Sequence, residues 1–352
     1  MAKIDIRKFS QEELIEHLVG MGEKKFRARQ IDEWLWKKSA RSFDEMTNLS
    51  LDLRARLKES FTIETLTVSE VQQSDDGTLK IAFSTHDGKV IEGVLIPTEK
   101  RMTACISSQV GCSLTCKFCA TGRLKRMRNL QAHEVVDQVV EINRLAEQYY
   151  QKSLTNIVMM GMGEPLLNYA EVNRGIDRIT SEDGLGMAAR RITLSTAGIA
   201  KMIRKLGEDK VRFNLALSLH AANDEKRDFI MPINEQNNLD VLADALNFYY
   251  RETGNPVTFE YIIFKGFNDE ISDARELAQF CRKVPSKVNI IEYNPIDDGE
   301  FEQADPDKVD AFVAYLERNG VTAKVRRSRG KDIDAACGQL ANKNKAGFNL
   351  SS

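Results

Sequence analysis

Three cysteines, Cys112, Cys116 and Cys119, lie in the segment GCSLTCKFCATG with CxxxCxxC spacing. Three thiolates on one short loop can ligate three irons of a 4Fe-4S cluster, which leaves the fourth iron without a protein ligand. Such an open iron can chelate the amino and carboxylate groups of S-adenosylmethionine and pass an electron to its sulfonium. The spacing therefore predicts one 4Fe-4S cluster and S-adenosylmethionine as cofactors, and the generation of a carbon radical.

A structural zinc site is the alternative interpretation of the same cysteines. Cys105 lies upstream of Cys112 and could supply a fourth thiolate to a closed tetrahedral metal. Zinc knuckles usually pair two CxxC-like steps across a longer loop, which is not the pattern of this segment. The cysteine spacing therefore favours the cluster.

Length and composition indicate an ordinary globular protein with one large domain or two unequal ones. The 352 residues are 42% hydrophobic and 29% charged, and no apolar run is long enough to span a bilayer. The amino terminus lacks the apolar stretch of a signal peptide. Six cysteines, three of them clustered, are not typical of a secreted disulfide framework. We therefore expect a cytoplasmic protein with reduced thiols.

The charge of the whole chain is nearly balanced, with 50 basic against 52 acidic residues, so it neither requires nor excludes nucleic acid as a partner. Two basic runs are local exceptions, one after the cysteine loop and one near the carboxyl end: Lys117, Arg123, Lys125, Arg126 and Arg128, then Lys324, Arg326, Arg327, Arg329 and Lys331. A single run of this kind is usually solvated surface. Two runs beside the candidate chemical residues favour contacts with nucleic acid phosphates.

The amino-terminal region, residues 1–64, is expected to form a small helical accessory domain, because apolar residues recur at three-to-four spacing between lysines and arginines. RNA docking and a helical cap that is merely kept soluble explain these basic residues equally well. Residues 65–100 change to alternating β-formers separated by DDG and HDG turns, which predicts a short antiparallel meander linking two domains. Glu92 lies in its last strand, where a solvent-facing position is the simpler interpretation.

From residue 101 to residue 340, short apolar strands alternate with amphipathic helices. Strands are expected at 103–107, 156–160, 191–195, 213–219, 257–264 and 289–293, with a late one at 322–326, and helices at 132–148, 169–179, 199–206, 239–251, 271–284 and 305–318. Right-handed crossovers curl such repeats toward a parallel barrel. Six repeats predict an α/β fold with a partial, open (β/α)6 barrel of the TIM type, followed by a carboxyl-terminal tail at 341–352.

Polar residues follow five of the six predicted strands, where a barrel enzyme gathers its active site. They are the cysteine loop, the GMGEP segment at 161–165, Ser195 with Thr196, Ser218 with His220, and Asn294 with Pro295. Glycines let a backbone approach a ligand closely, and Glu164 can accept a hydrogen bond from an ammonium group. We therefore expect Glu164 to hold the amino group of S-adenosylmethionine. His220 could equally be a buried core histidine.

Five motifs together resemble the radical S-adenosylmethionine RNA methyltransferases of the RlmN family: CISSQVGCSLTCKFCATG, VMMGMGEPLLN, RITLSTAG, SLHAANDEKRDFIMPIN and RGKDIDAACGQL. These are dual-specificity enzymes that methylate carbon 2 of adenine in 23S rRNA and tRNA. The resemblance covers nearly the whole chain, up to Leu340. It implies 23S rRNA and tRNA as partners, together with a flavodoxin-like electron donor and a thiol reductant. Separately, we expect no membrane partner and a monomer.

The resemblance also implies roles for individual residues. The implied cluster ligands are Cys112, Cys116 and Cys119, and the implied S-adenosylmethionine-binding positions are Gly163, Glu164, Ser195, Ser218, Leu219, His220 and Asn294. Cys337 matches the cysteine that becomes S-methylated, and Cys105 matches its disulfide partner. Glu92 matches the proton acceptor of the family.

The implied scheme suits a target carbon that is electron-poor and is not a nucleophile. Two molecules of S-adenosylmethionine are used per turnover, and the first methylates the Cys337 thiolate by displacement. The second yields a 5'-deoxyadenosyl radical that takes hydrogen from the S-methyl group, and the new carbon radical adds to the ring. A base removes the ring proton, and Cys105 attacks the sulfur of Cys337, which leaves a disulfide to be reduced. Arg327, Arg329 and Lys331 are expected to favour the Cys337 thiolate.

Two alternatives remain open. The sister family, Cfr, methylates carbon 8 of the same adenine, although Pro165 after the glutamate in GMGEPLLN is typical of the carbon-2 branch. A metal-stabilised RNA-binding module without catalysis would require only thiols that hold zinc and basic patches that hold RNA. Cys281, inside a predicted helix, is expected to be an inert core thiol.

Overall fold

The computed structural model describes residues 3–343, so the predicted tail at 341–352 lies outside the described residues from position 344 onward. The strands are β1 (Ile4–Asp5), β2 (Phe61–Thr62), β3 (Thr67–Gln73), β4 (Leu79–Ser84), β5 (Val90–Pro97), β6 (Met102–Cys105), β7 (Gln109–Val110), β8 (Arg128–Asn129), β9 (Asn156–Met159), β10 (Ile192–Thr196), β11 (Asn214–Ser218), β12 (Val257–Ile263), β13 (Ser286–Glu292) and β14 (Ala323–Arg326). The α-helices are α1 (Gln11–Gly20), α2 (Phe26–Asp32), α3 (Leu51–Ser60), α4 (Ala132–Tyr150), α5 (Tyr169–Thr180), α6 (Ala200–Glu208), α7 (Asp224–Ile230), α8 (Leu239–Thr253), α9 (Ile271–Lys283) and α10 (Pro306–Arg318). Between residues 3 and 343, no helix has the length and apolar character needed to cross a membrane.

The amino-terminal helices form where capping and apolar spacing agree. Helix α1 begins at a capping box, in which the Glu13 N–H donates to Ser10 Oγ at 3.2 Å and the Ser10 N–H donates to the Glu13 carboxylate at 2.7 Å. Leu14 and Leu18, one turn apart, are buried on the face that packs inward. The predicted helical region at the amino terminus is therefore confirmed.

A ten-stranded sheet contains most of the remaining strands, in the order β14-β13-β12-β11-β10-β9-β6-β5-β4-β3. Strands β6 and β9 to β14 are parallel, and each strand from β6 to β13 is followed by at least one helix before the next strand of this parallel series. These are six strand-helix units followed by the late strand, with β14 and β3 as the open edges. The predicted partial (β/α)6 barrel is confirmed, and the short helix α7 is an addition that the sequence analysis did not predict.

The antiparallel strands β3 to β5 continue the barrel sheet, because β5 pairs with β6 through Val94 and Cys105. Paired residues share one face of a sheet and every second residue returns to it. Glu92, Val94 and Cys105 therefore point to the same side, toward the barrel interior. Glu92 is completely buried, so the simpler interpretation of this residue as solvent-facing is wrong.

A group of buried charges joins the amino-terminal segment to helix α4. Arg7 donates to Asp137 at 2.7 Å and lies 3.5 Å from Asp5, and Arg7 and Asp5 are both buried. His133 of α4 is also buried, with Nε2 3.8 Å from an Asp5 carboxylate oxygen. Burial, reinforced by the positive charges of Arg7 and Lys8, lowers the pKa of His133 to about 2. The imidazole is therefore neutral in the folded protein.

The buried neutral His133 predicts a loss of stability in mild acid. Its folded-state pKa lies below the unfolded value near 6.5, so the unfolded chain takes up a proton that the folded chain does not. This costs the folded state about 2 kcal/mol between pH 6.5 and pH 5. We expect His133→Asn to lose less stability over this range than the wild type, as measured by denaturant unfolding. His17→Asn, at an exposed position of α1, is the control and should follow the wild type. Parallel pH profiles for all three proteins would contradict the assignment.

Candidate active site

The three cysteines of the CxxxCxxC segment lie on the loop between β7 and β8, which pair antiparallel and close its base. The Leu114 N–H donates to Cys112 Sγ at 3.4 Å, and the Cys119 N–H donates to the Cys116 carbonyl at 3.2 Å. Burial raises the pKa of all three thiols, and the thiolates of Cys112 and Cys116 are further disfavoured by the other cysteines. Three thiolates are stable here only with a positive partner such as bound metal.

The three sulfur atoms do not all lie within 4.8 Å of one another, which is wider than a single zinc ion would hold them. Thiolates bound at about 2.3 Å from a single tetrahedral metal would lie about 4 Å from one another. Within residues 3–343, the one set of three candidate ligand atoms that lie within 4.8 Å of one another belongs to Asp5, Glu64 and His133. The cysteine loop therefore fits a polynuclear cluster with three protein ligands better than a structural zinc site.

A cavity opens beside the three cysteines at the carboxyl ends of the parallel strands, and we call it the cluster cavity. Its lining includes Cys112, Cys116, Cys119, Gly163, Glu164, Ser195, Ser218, His220, Glu260 and Cys337. Five of the seven positions predicted to bind S-adenosylmethionine are thus brought together with the predicted cluster ligands. Leu219 and Asn294 do not line this cavity.

Glu164 stands at the wall of the cluster cavity, just after β9. Its carboxylate accepts hydrogen bonds from the Leu166 N–H at 3.0 Å, the Thr196 hydroxyl at 2.8 Å and the Ala197 N–H at 2.7 Å. Burial raises the pKa of Glu164, and these three donors oppose that shift. Gly163 has a φ of +95°, and a Cβ there would lie 2.5 Å from a side-chain atom of β7. The segment is therefore a rigid acceptor that only glycine allows to pack so closely.

His220 follows β11 and is both buried and part of the cavity wall. Its Nδ1 accepts a hydrogen bond from the Ile262 N–H at 3.1 Å, so the neutral ring carries its proton on Nε2. Burial lowers the pKa of His220 to about 3, and the nearby Arg227 adds to this. The ring packs edge-on against Phe118, with centroids 4.7 Å apart. The sequence left open whether His220 is a core residue or binds a ligand. The structure shows a buried ring that also lines the cluster cavity.

A buried arginine that the sequence analysis missed fixes the loops after β10 and β11. Arg227 of α7 is fully buried, and its Nε donates to the Leu219 carbonyl at 3.1 Å. Its Nη2 donates to the carbonyls of Ala197 at 2.7 Å and Ser218 at 3.2 Å. Burial lowers the pKa of Arg227 to about 10, and the nearby Cys116 opposes that shift. No sequence pattern distinguishes this arginine from the charged residues beside it.

A larger cavity of about 620 Å³ occupies the barrel interior, and we call it the barrel cavity. Cys105 and Cys337, both free thiols, line it together, and Cys337 lines the cluster cavity as well. Burial, reinforced by Cys337, raises the pKa of Cys105 to about 12. The two cysteines predicted to form a pair therefore share one cavity, which adjoins the cluster cavity at Cys337.

Two further charged residues of the interior were not predicted as site residues. Glu260 of β12 and Arg326 of β14 line both cavities, with Arg326 Nη1 3.8 Å from Glu260 Oε2. Cys337 is the largest cause of the raised pKa of Arg326, and Glu260 and Cys105 add to it. Arg326 is thus the basic residue that lines both cavities together with Cys337, whereas Lys331 pairs with Glu292 at 3.0 Å. A charged residue in the apolar run VTFEYII was the available signal for Glu260.

The segment that carries Cys337 is held by the cysteine loop and by the end of β13. The Ala120 N–H donates to the Gly338 carbonyl at 2.7 Å, and the Thr121 hydroxyl donates to the Leu340 carbonyl at 2.6 Å. Asn294 Nδ2 donates to the Cys337 carbonyl at 3.3 Å. Asn294 therefore positions the Cys337 segment in this arrangement.

Glu92 lines neither cavity and instead contacts the residues that follow Cys337. One carboxylate oxygen accepts hydrogen bonds from the N–H groups of Ala341 at 2.9 Å and Asn342 at 3.0 Å. The other lies 3.1 Å from the ammonium of Lys80, which is buried too. One oxygen of the Glu92 carboxylate is thus covered by the backbone of residues 341–342, and the Lys80 ammonium compensates the negative charge at the other.

Loss of the Arg227 contacts should weaken the site more than the fold as a whole. Lysine keeps a charge but cannot reach three carbonyl groups, and a buried acceptor left without a donor costs about 1–3 kcal/mol. We expect Arg227→Lys to lower the melting temperature by several degrees and to weaken S-adenosylmethionine binding, as measured by scanning fluorimetry and equilibrium dialysis. Arg204→Lys on the outer helix α6 should change neither quantity. An unchanged affinity for S-adenosylmethionine and an unchanged melting temperature in Arg227→Lys would show that the Arg227 contacts are unimportant.

Comparisons with known proteins agree with this geometry. Residues 4–63 match the family described as "Ribosomal RNA large subunit methyltransferase N-terminal domain", and residues 106–280 match the "Radical SAM superfamily". The sequence is 61% identical to a probable dual-specificity RNA methyltransferase RlmN of Cytophaga hutchinsonii, over 96% of this chain and 92% of that protein. It is 54% identical to the corresponding protein of Flavobacterium psychrophilum, over 97% of this chain and 98% of that one.

A solved structure supports the same relationship. The crystal structure of a radical SAM methyltransferase from Sphaerobacter thermophilus matches with a TM-score of 0.90 and 42% sequence identity. The match covers 96% of this chain and 99% of that chain. Both the amino-terminal helices and the barrel are therefore shared with an experimentally determined fold.

Proposed function

Because this chain belongs to the RlmN family of dual-specificity RNA methyltransferases of the radical SAM type, we propose that it methylates carbon 2 of adenine in 23S rRNA and tRNA. One observation carries the proposal. Cys337, which is not a predicted cluster ligand, lines both the cavity beside the predicted cluster ligands and the cavity that contains Cys105. A methyl group carried on this sulfur would stand between a radical source and a second thiol.

The lining of the cluster cavity supports the following cofactor residues. Cys112, Cys116 and Cys119 would hold one 4Fe-4S cluster, which with bound S-adenosylmethionine would supply a carbon radical able to attack an electron-poor ring. The residues that would bind S-adenosylmethionine are Gly163, Glu164, Ser195, Ser218 and His220, with Leu219 and Asn294 in supporting positions. Glu164 would accept from the ammonium group, and the Nε2–H of His220 would donate.

Cys337 and Cys105 would act in sequence. The Cys337 thiolate takes a methyl group from one S-adenosylmethionine, so a sulfur-carbon bond forms as the sulfonium-carbon bond breaks and S-adenosylhomocysteine leaves. After a second S-adenosylmethionine has been used, Cys105 attacks the Cys337 sulfur, which forms a disulfide and breaks the bond to the methylated base. The attack requires the Cys105 thiolate; burial raises the pKa of Cys105 to about 12, and the charge of Arg326 opposes that shift by favouring the thiolate.

Glu92 would be the proton acceptor for the ring carbon. It lies on the interior face of the sheet with Cys105, and the ammonium of Lys80 neutralises its carboxylate. An external electron donor and a thiol reductant would complete each turnover, because the scheme consumes an electron and leaves a disulfide. The amino-terminal helices, residues 1–64, would dock the RNA.

Replacement of Cys105 should separate the two halves of the reaction. Without a thiol to attack the Cys337 sulfur, we expect Cys105→Ala to remain bonded to RNA through Cys337, as a complex that survives denaturing gel electrophoresis. Cys337→Ala should form no such complex and no methylated adenine. Cys281→Ala, which removes a thiol of helix α9 outside both cavities, should behave like the wild type.

Direct analysis of the modified sites tests the proposal further. Peptide mass spectrometry of wild-type protein from cells should find S-methylated Cys337. Nucleoside analysis should show that 23S rRNA and tRNA from a deletion strain lack 2-methyladenosine. Anaerobically purified protein should contain about four irons and four sulfides per chain. An unmethylated Cys337 would reject the proposed methyl carrier. Loss of 8-methyladenosine in place of 2-methyladenosine would reject methylation at carbon 2, and zinc without sulfide would reject the 4Fe-4S cluster.

A further inference from the structure

Glu260 presents an unsatisfied acceptor to the barrel interior. It lies in the middle of β12, is 4% exposed, and lines both cavities. Its Oε1 accepts a hydrogen bond from Asn289 Nδ2 at 2.8 Å, whereas its Oε2 is buried and has no hydrogen-bond partner. Arg326 Nη1 lies 3.8 Å from Oε2, which is too long for a hydrogen bond.

An unsatisfied carboxylate oxygen is costly in a buried strand, so packing alone does not account for Glu260. Of the other residues of β12 only Thr258 and Tyr261 carry polar side-chain atoms, and all seven residues of the strand are buried. Asn289 on the neighbouring strand fixes the orientation of the carboxylate through Oε1. Glu260 therefore borders both cavities with one carboxylate oxygen that lacks a hydrogen-bond donor.

The position of Cys337 indicates which ligand supplies that donor. Cys337 and Glu260 line the same two cavities, so a base whose carbon 2 reaches the Cys337 sulfur places its other edges within the wall that contains Glu260. Adenine carries an N–H donor at its 6-amino group. Guanine and hypoxanthine carry an oxygen at the same ring position, which a carboxylate oxygen would repel.

Resting on the proposed function, we propose that Glu260 is a specificity-determining residue whose Oε2 accepts a hydrogen bond from the 6-amino group of the target adenine. Asn289 is its positioning residue, because its amide donates to Oε1 and so fixes the orientation of the Glu260 carboxylate. The residue selects adenine by a satisfied acceptor and disfavours 6-oxo purines by repulsion. S-adenosylmethionine also carries an adenine and an ammonium group that could donate to Oε2, so the test must distinguish this cofactor from the RNA base.

The sharpest test is Glu260→Gln with RNA hairpins that carry adenosine, purine riboside or inosine at the target position. In the wild type, we expect kcat/KM to fall about 10- to 100-fold when the 6-amino group is removed, as for loss of a hydrogen bond to a charged group. In Glu260→Gln, Asn289 holds the amide oxygen in the place of Oε1, so the amide N–H₂ takes the place of Oε2. We therefore expect the ratio of kcat/KM for adenosine to that for inosine to fall at least 10-fold in the variant.

Two further measurements distinguish specificity from a general defect. Methylation of Cys337 by S-adenosylmethionine without RNA, followed by mass spectrometry, should be the same in Glu260→Gln and in the wild type. Glu292→Gln is the matched control, because Glu292 lies on the adjacent strand and lines neither cavity. It should leave every base ratio unchanged. Should Glu260→Gln fold poorly, Asn289→Ser keeps the carboxylate but frees its orientation, and the preference for adenosine over purine riboside should fall.

The possible failures point to different causes. An unchanged adenosine-to-inosine ratio in Glu260→Gln would overturn the inference while leaving the proposed function intact. Slower Cys337 methylation or weaker S-adenosylmethionine binding in this variant would assign Glu260 to the cofactor and would also overturn it. Absence of methylation of the adenosine hairpin by the wild-type enzyme would reject the proposed function itself, and the inference with it.

Discussion

The guanidinium of Arg227 is completely buried, and its N–H groups donate to the carbonyls of Ala197, Ser218 and Leu219. These carbonyls lie at the end of β11 and in the loops after β10 and β11, where inward-pointing backbone oxygens need hydrogen-bond donors. A buried cation in turn is tolerated only among acceptors. The arginine and the two loops therefore stabilise each other. Because Ser195, Ser218 and His220 project from the same strand ends, the shape of the cluster cavity depends on this one contact set.

The antiparallel extension of the sheet solves a second positional problem. A barrel of parallel strands brings residues together only at its carboxyl-terminal rim, whereas the proposed chemistry also needs a base and a second thiol. Cys105 is the last residue of the parallel strand β6, and the pairing of β5 with β6 adds Glu92 on the same interior face. Burial of Glu92 requires compensation, and Lys80 at 3.1 Å provides it from the adjacent strand. The extension is thus part of the site as well as of the fold.

Much of this arrangement could be predicted from the sequence, since buried parallel strands and amphipathic helices leave strong local patterns. The strands at 156–160, 257–264 and 322–326 differ from the observed ones by at most one residue at either end. The CxxxCxxC and GMGEP segments were correctly placed after strands. Burial of Glu92 and the contacts of Arg227 and Glu260 could not be derived in this way, because they depend on which strands and loops become neighbours. Helix α7 was missed because seven residues give too short a pattern.

The segment after Cys337 introduces a constraint that the proposed chemistry must meet. Glu92 accepts hydrogen bonds from the N–H groups of Ala341 and Asn342, so in this arrangement its carboxylate is held by the chain and faces neither cavity. A general base must reach the proton that it removes. For Glu92 to act on the ring, residues 341–342 must therefore release it, and Cys337 lies only a few residues away on the same segment. The contacts of Gly338 and Leu340 with the cysteine loop link that movement to the cluster site. Access of the adenine to the Glu92 carboxylate is thus mechanically coupled to the position of the Cys337 sulfur, which would carry the methyl group.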